Sequence, residues 1–262
     1  MKLGLMAGDI VPAEELRELG FEAVQMFFKG GAEGDDGDPT PEAIDAILNA
    51  GNTCLAAMTL HADLVGPQGA IAADVERTIR CVEKTAALTG RFGANSKPIL
   101  VWHPSGYPDG PQVEDRTVFE GLCQALTRVC AAAVALDVNL AVEITRAGSV
   151  GSAETFLHLK DRIGSPALGV CLDAANFVPD RTPLERAVRA LSPYTFIAHG
   201  KDSSFASDGE VAHYGPTGSG KLDYTSYIRA LQKHTNVPYF VLEYYRNRKD
   251  LLRARDIVLK SR

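Results

Sequence analysis

The chain has 262 residues, 45% hydrophobic and 23% charged, the balance of a soluble globular protein with a sizeable core. A formal net charge of −6 leaves no excess of Lys and Arg for duplex nucleic acid or an anionic membrane, so neither is expected as a partner. Five cysteines, odd in number, set in apolar segments and without a CxxC pair, read as reduced thiols in a cytoplasmic protein.

The opening MKLGLMAGDI carries a short apolar patch that Gly8 and Asp9 break too early for a signal peptide. Its LGLMA (3–7) predicts a strand, and Pro12 predicts the start of a helix, PAEELRELG, closed by Gly20. AVQMFF (23–28) predicts a second strand, followed by an acidic, mobile loop, GGAEGDDGD. Thr40 is placed to cap PEAIDAILNAG, whose early Glu42 and Asp45 favour the helix dipole. TCLAAMTLH (53–61) predicts a third strand, residues 71–88 a long amphipathic helix, PILVWH (98–103) a fourth strand, and Phe119–Leu136 another helix. The longest apolar run, near Cys130–Leu136, is too short to span a bilayer.

The second half repeats the pattern. NLAVE, ALGVCLD, YTFIAH and YFVLE predict the fifth to eighth strands. Between and after them, helices are expected over SAETFLHLKDR with Ser152 as N-cap, over TPLERAVRAL with Pro183 in its first turn, over 222–234 and over 246–260. Eight β/α units without a linker or a tight repeat predict one domain over 1–262, a closed (β/α)8 TIM barrel with a parallel sheet. An open doubly wound sheet is the alternative.

Glu143, Asp173, His199 and Glu243 each follow one of these last four apolar runs. In a (β/α)8 barrel the carboxyl ends of the strands share one rim, where active sites form. A carboxylate after one strand is often only a cap or a surface charge; an acid or His after four consecutive strands is a pattern. Three carboxylates and one imidazole suit a divalent cation, Mn²⁺ or Co²⁺ ahead of Ca²⁺, with Mg²⁺ and Zn²⁺ open.

The segments VEITRAG, CLDAANF, IAHGKD, GPTGSGKLDY and VLEYY resemble the xylose-isomerase-like (β/α)8 family, in particular the sugar phosphate isomerases and epimerases that include tagatose/psicose 3-epimerases and hydroxypyruvate isomerases. The resemblance implies that Glu143, Asp173, His199 and Glu243 ligate one metal ion. It also implies that Glu143 and Glu243 are the acid/base pair moving a proton on either side of the substrate plane. The expected activity is isomerisation or epimerisation of a small keto sugar or related polyol carbonyl compound through a metal-stabilised enediolate. Two bases on opposite faces allow epimerisation, and one base allows aldose–ketose isomerisation. Dimers and tetramers are common in such proteins, so a homo-oligomer is expected by analogy.

Substrate contacts are expected from His61 and His103 at the ends of the third and fourth strands, from Arg146 in EITR, from Asn176 and from Lys201. Trp102 should alternate away from the rim and pack on a helix. Family members often carry His where Asn176 stands, and the Glu that epimerases place after the first metal Glu is replaced here by AGSVGS. Lys201 is read as polarising a carbonyl, pairing with Asp202, or lying solvated in a loop; Arg246 is a weaker candidate of the same kind. Cys171 reads as a small core residue. GPTGSGK has P-loop spacing, but Leu222 stands where Ser or Thr is needed, so a glycine-rich turn leading to Asp223 near a helix N-cap is expected instead. The competing functions are an inosose-dehydratase-like lyase, an abasic-site endonuclease, which would need more ligands than Asn176 allows, and a carbohydrate-binding protein without turnover.

Overall fold

A computed structural model describes residues 1–8, 10–30, 35–51, 54–93, 97–104, 116–145, 148–177, 184–207 and 211–262. Along the chain run β1 (Lys2–Met6), β2 (Ala23–Phe28), α1 (Pro41–Asn49), β3 (Cys54–Ala62), a short pair β4 (Val65–Gly66) and β5 (Gly69–Ala70), and α2 (Ala72–Arg91). Next come β6 (Ile99–Pro104), α3 (Arg116–Ala135), β7 (Asn139–Glu143), α4 (Ala153–Ile163), β8 (Leu168–Asp173), α5 (Ala174–Phe177) and α6 (Leu184–Leu191). The chain ends with β9 (Thr195–Phe205), β10 (Val211–Pro216), α7 (Tyr224–His234), β11 (Tyr239–Leu242) and α8 (Arg248–Ser261). The contacts group these into two compact units, one of residues 1–25, 42–56 and 172–262, the other of residues 26–41 and 57–171.

In the first unit β1 lies between β2 and β11, and β11 pairs on with β9, all parallel. These strands are apolar on both faces, and Leu3, Leu5, Val24, Ile197 and Phe240 are buried. Helices α7 and α8 bury Ile228, Leu231, Leu251 and Val258. Asp223 and Asn247 cap them by accepting the backbone N–H groups of Ser226 and Asp250. Gly200 is required where β9 meets β11, because a Cβ there would stand 2.6 Å from the Phe240 ring.

Two departures from the sequence reading fall in this unit. The helix expected over 12–20 is only a 3-10 turn, Ala13–Glu15, followed by turns to Gly20. So short a segment leaves few hydrogen bonds to offset the cost of nucleating a helix. The strand expected to end at His199 runs on to Phe205 and returns as antiparallel β10. Pro183, expected in the first turn of α6, lies outside the described residues.

In the second unit β3, β6, β7 and β8 pair in that order, again parallel. Met58, Leu100, Trp102, Leu140 and Val170 are buried, and Trp102 donates its indole N–H to the Ala62 carbonyl at 2.9 Å. Ser152 caps α4, its hydroxyl accepting from the Thr155 N–H at 3.1 Å. Helix α3 is long and apolar enough to cross a membrane by length and composition, which the run at 130–136 did not suggest. It buries Leu122, Leu126, Val129 and Ala133 in a stripe, as a core helix does. The acidic loop after β2 is tied down where it is described: Arg80 and Lys84 grip Asp36, and Arg77 donates to the Gly30 carbonyl. Residues 31–34 of that loop lie outside the described residues.

Candidate metal centre

Residues in or directly after three parallel strands build the site in the first unit. Asp173 is the last residue of β8, His199 lies in β9 and Glu243 directly follows β11. One ligand atom from each lies within 4.8 Å of the others. Register explains part of this closeness: Val241 is the Cα partner of His199, and the Glu243 N–H donates to the Gly200 carbonyl at 3.1 Å. All three side chains are largely out of solvent, Asp173 at 1% and His199 at 0% exposure.

His199 is oriented by Gln25, the polar residue in the otherwise apolar β2. His199 Nε2 lies 3.1 Å from Gln25 Oε1. An amide oxygen only accepts, so Nε2 is the donor in this contact, and in the neutral ring Nδ1 then keeps its lone pair. Nδ1 is the nitrogen on the Glu243 side, 3.8 Å from Oε1. Two carboxylates and an imidazole held in this tautomer suit a divalent first-row cation.

Lys201 enters the same cluster. Its ammonium is 2.7 Å from Asp173 Oδ2 and 3.1 Å from Glu243 Oε1, with the residue 4% exposed. Strand parity puts residues 199 and 201 on one side of β9 and Asp202 on the other. The expected pairing with Asp202 is therefore replaced, and the solvated-loop alternative fails on burial. Asp202 instead accepts from the backbone N–H groups of Ser203, Leu222 and Gly218 at 2.9, 3.1 and 3.1 Å, anchoring the glycine-rich turn. A Cβ at Gly220 would lie 2.1 Å from the Ser203 oxygen, which requires glycine there.

Two tyrosines of α7 brace these strand ends from behind. The Tyr227 hydroxyl donates its one proton to the Leu172 carbonyl at 2.8 Å and shares it with the His199 carbonyl at 3.3 Å, and Tyr224 donates to the Lys201 carbonyl. Burial pushes the Tyr224 hydroxyl well above the usual tyrosine range, so it stays protonated and remains a donor. Sequence reasoning missed Gln25, Tyr224 and Tyr227. A lone polar residue in an apolar strand, and tyrosines three apart on a helix, were the available signals.

The remaining candidates are distributed as follows. Glu143 ends β7 in the second unit, is buried, and has Cys171 of β8 as its Cα partner. His61 and His103 are Cα partners on β3 and β6 in that unit, their rings stacked at 4.4 Å. Asn176 is buried in α5, three residues after Asp173 in the first unit. Arg146 lies outside the described residues. Arg246 is a surface residue paired with Asp250 at 3.4 Å. All five cysteines are thiols; burial pushes Cys81 up to about 12 and Cys130 up to about 11, which makes both inert as nucleophiles.

Four parallel strands in each unit, alternating with helices and carrying acids and imidazoles toward their carboxyl ends, are the pattern of the (β/α)8 class. The chain belongs to the xylose isomerase-like TIM barrel family, whose profile matches residues 13–261. No curated protein matches it in sequence. Among solved structures it is similar to the probable 3-DHS dehydratase AsbF of petrobactin synthesis from Bacillus anthracis, with a TM-score of 0.75, 17% identity and 99% of each chain covered. It is similar also to a D-tagatose 3-epimerase-like protein, with a TM-score of 0.75, 15% identity, and 100% of this chain and 97% of that one covered. A third is the IolI protein with a bound zinc atom, with a TM-score of 0.70, 15% identity, and 100% and 96% coverage. At these identities the likeness is one of fold.

Proposed function

We propose that this chain is a divalent-metal-dependent isomerase or epimerase of a small keto sugar or related polyol carbonyl compound. The observation that carries the reading is the convergence of Asp173, His199 and Glu243, with the imidazole held by Gln25. Glu143 is assigned as the fourth ligand because it ends the strand next to β8, and a barrel of this family gathers such ends on one rim. The proposal takes residues 1–262 as one domain, as the family match over 13–261 supports. Mn²⁺ is the preferred ion for three carboxylates and one imidazole, with Co²⁺, Mg²⁺ and Zn²⁺ as alternatives.

When bound, the cation supplies an electrophile that offsets the negative charge developing on the substrate oxygens. Glu243 removes or returns the proton on the carbon next to the carbonyl, and Glu143 does the same from the opposite face. Lys201 donates to a substrate oxygen, with Asn176, His61, His103 and Arg146 as further hydroxyl contacts. The four buried thiols support a reducing, cytoplasmic setting, and the acidic chain supports a small-molecule partner rather than nucleic acid or membrane. A homo-oligomer is proposed by analogy with the family.

The test is exchange of the substrate α-proton in deuterated water across a panel of ketoses, with Mn²⁺ supplied. Exchange is expected for at least one ketose, and Glu243→Gln should lower its rate by about 10²–10⁴-fold, the usual worth of a positioned acid/base. No exchange across the panel overturns the reading. A second reading, a dehydratase, is favoured by the Lys201 ammonium, which can give a proton to a departing hydroxyl. A product lighter by one water would select it.

A further inference from the structure

A cation is already built into the cluster. The Lys201 ammonium contacts Asp173 Oδ2 at 2.7 Å and Glu243 Oε1 at 3.1 Å. The same Nζ lies 5.1 Å from the ring centre of Tyr214 and 5.2 Å from that of Tyr244. Those rings are 5.7 Å apart and 38% and 51% exposed, an aromatic pair at the outer side of the ammonium. Tyr244 is held with φ at 57°, a left-handed backbone uncommon for a tyrosine, directly after Glu243.

The backbone of Lys201 is fixed on two sides. It pairs with Pro216 of β10, and its carbonyl accepts from Tyr224. The four-carbon stem is not part of that anchoring, and its ammonium lies within cation–π range of both tyrosine faces while it contacts the carboxylates.

We propose that Lys201 is an internal counter-cation that competes with the divalent ion for Asp173 and Glu243, sets the affinity for that ion, and shifts onto Tyr214 and Tyr244 when the ion binds. The inference rests on the reading of Asp173, His199 and Glu243 as metal ligands. A monovalent and a divalent cation cannot share the same carboxylate oxygens without strong repulsion at such short range. The aromatic faces lower the cost of displacing the ammonium, and the displaced ammonium is left nearer the exposed side, where a substrate oxygen can meet it. The ion should accordingly bind before the substrate.

The test is titration of the chelator-stripped full chain with Mn²⁺, following the electron paramagnetic resonance signal of free aquo-Mn²⁺. Lys201→Met should bind Mn²⁺ about 10-fold or more tightly than wild type, since a repelling charge is removed from the first contact shell. Lys201→Gln should move in the same direction, and circular dichroism with thermal melting verifies that both variants are folded. Replacing Tyr214 and Tyr244 together by leucine should weaken Mn²⁺ binding several-fold, while phenylalanine at both, which keeps the ring faces, should leave it near wild type. Equal or weaker binding by folded Lys201→Met overturns this inference and leaves the metal-site reading standing. Binding by that variant alone supports the inference. Failure of both wild type and variant to bind removes the metal-site reading and the inference together. An unchanged affinity in the leucine pair overturns the proposed movement.

Discussion

A carboxylate at 5% exposure needs cationic partners, and Asp36 has two. Arg80 grips it through Nη2 at 2.8 Å and Nε at 3.0 Å, and Lys84 adds a contact at 3.0 Å. The Arg80 hydrogen bond, together with Lys84, holds the Asp36 carboxyl below the usual range despite its burial. A depressed folded value means stability that is present above the unfolded value, about 3.9, and is lost as pH falls through the folded one. Asp36→Asn should therefore lower the thermal midpoint at pH 7, and the gap to wild type should close as the pH is lowered below about 4. A gap that does not narrow at all as the pH falls below about 4 would show that the ion pairs are not its source. The same residue shows why sequence stopped short: GGAEGDDGD reads as a mobile acidic loop because its partners, Arg80 and Lys84, are more than forty positions away. Lys201 was ambiguous for a related reason. HGKDSS has no apolar signature, so the continuation of β9 to Phe205 was hidden, and with it the parity that carries residue 201 inward.

At the scale of elements, caps were the most legible features. The sequence places Ser152 at the N-cap of α4 and Asp223 near that of α7, and both accept the backbone N–H three residues on. Ser152→Ala should cost about 1 kcal/mol, with glycine at that position milder, measured by denaturant unfolding. A loss near zero would mean that the Thr155 N–H finds another acceptor. Strand cores were legible because NLAVE, ALGVCLD and YFVLE are apolar on both faces, which only a doubly covered sheet tolerates. The β4–β5 pair and β10 were not. Two-residue strands leave no period to read, and β10 is exposed over Ala212, His213 and Tyr214, so burial gives it no pattern. The helix expected over 12–20 shows the converse error, since its Pro, Glu and Gly signals were all present but the segment is too short to sustain them.

For the molecule as a whole, the alternation of strands and helices identified the barrel class without any contact being known, because the parallel crossover leaves few alternatives. It also gave the metal-ligand candidates, but not the residues that aim them: Gln25 and the α7 tyrosines act across the fold, and linear spacing carries no trace of that. A ligand that binds only the folded chain stabilises it by mass action. With Mn²⁺ at roughly 100 times its dissociation constant the gain is about 2.7 kcal/mol, and the melting temperature of a chain this size should rise by roughly 5–10 °C. Addition of a chelator should reverse the shift. A midpoint indifferent to Mn²⁺, Co²⁺, Mg²⁺ and Zn²⁺ alike would count against the metal-centre reading.

The Tyr227 hydroxyl reaches two carbonyls at once, one belonging to the residue before Asp173 and one to His199 itself. It thereby acts as a gauge block between β8 and β9, and its ring is seated edge-on against Phe240 at 5.8 Å. Anyone transplanting Asp173, His199 and Glu243 into another barrel would have to bring this helix along. Three side chains copied without their spacer would arrive with the right chemistry and an unregulated bite.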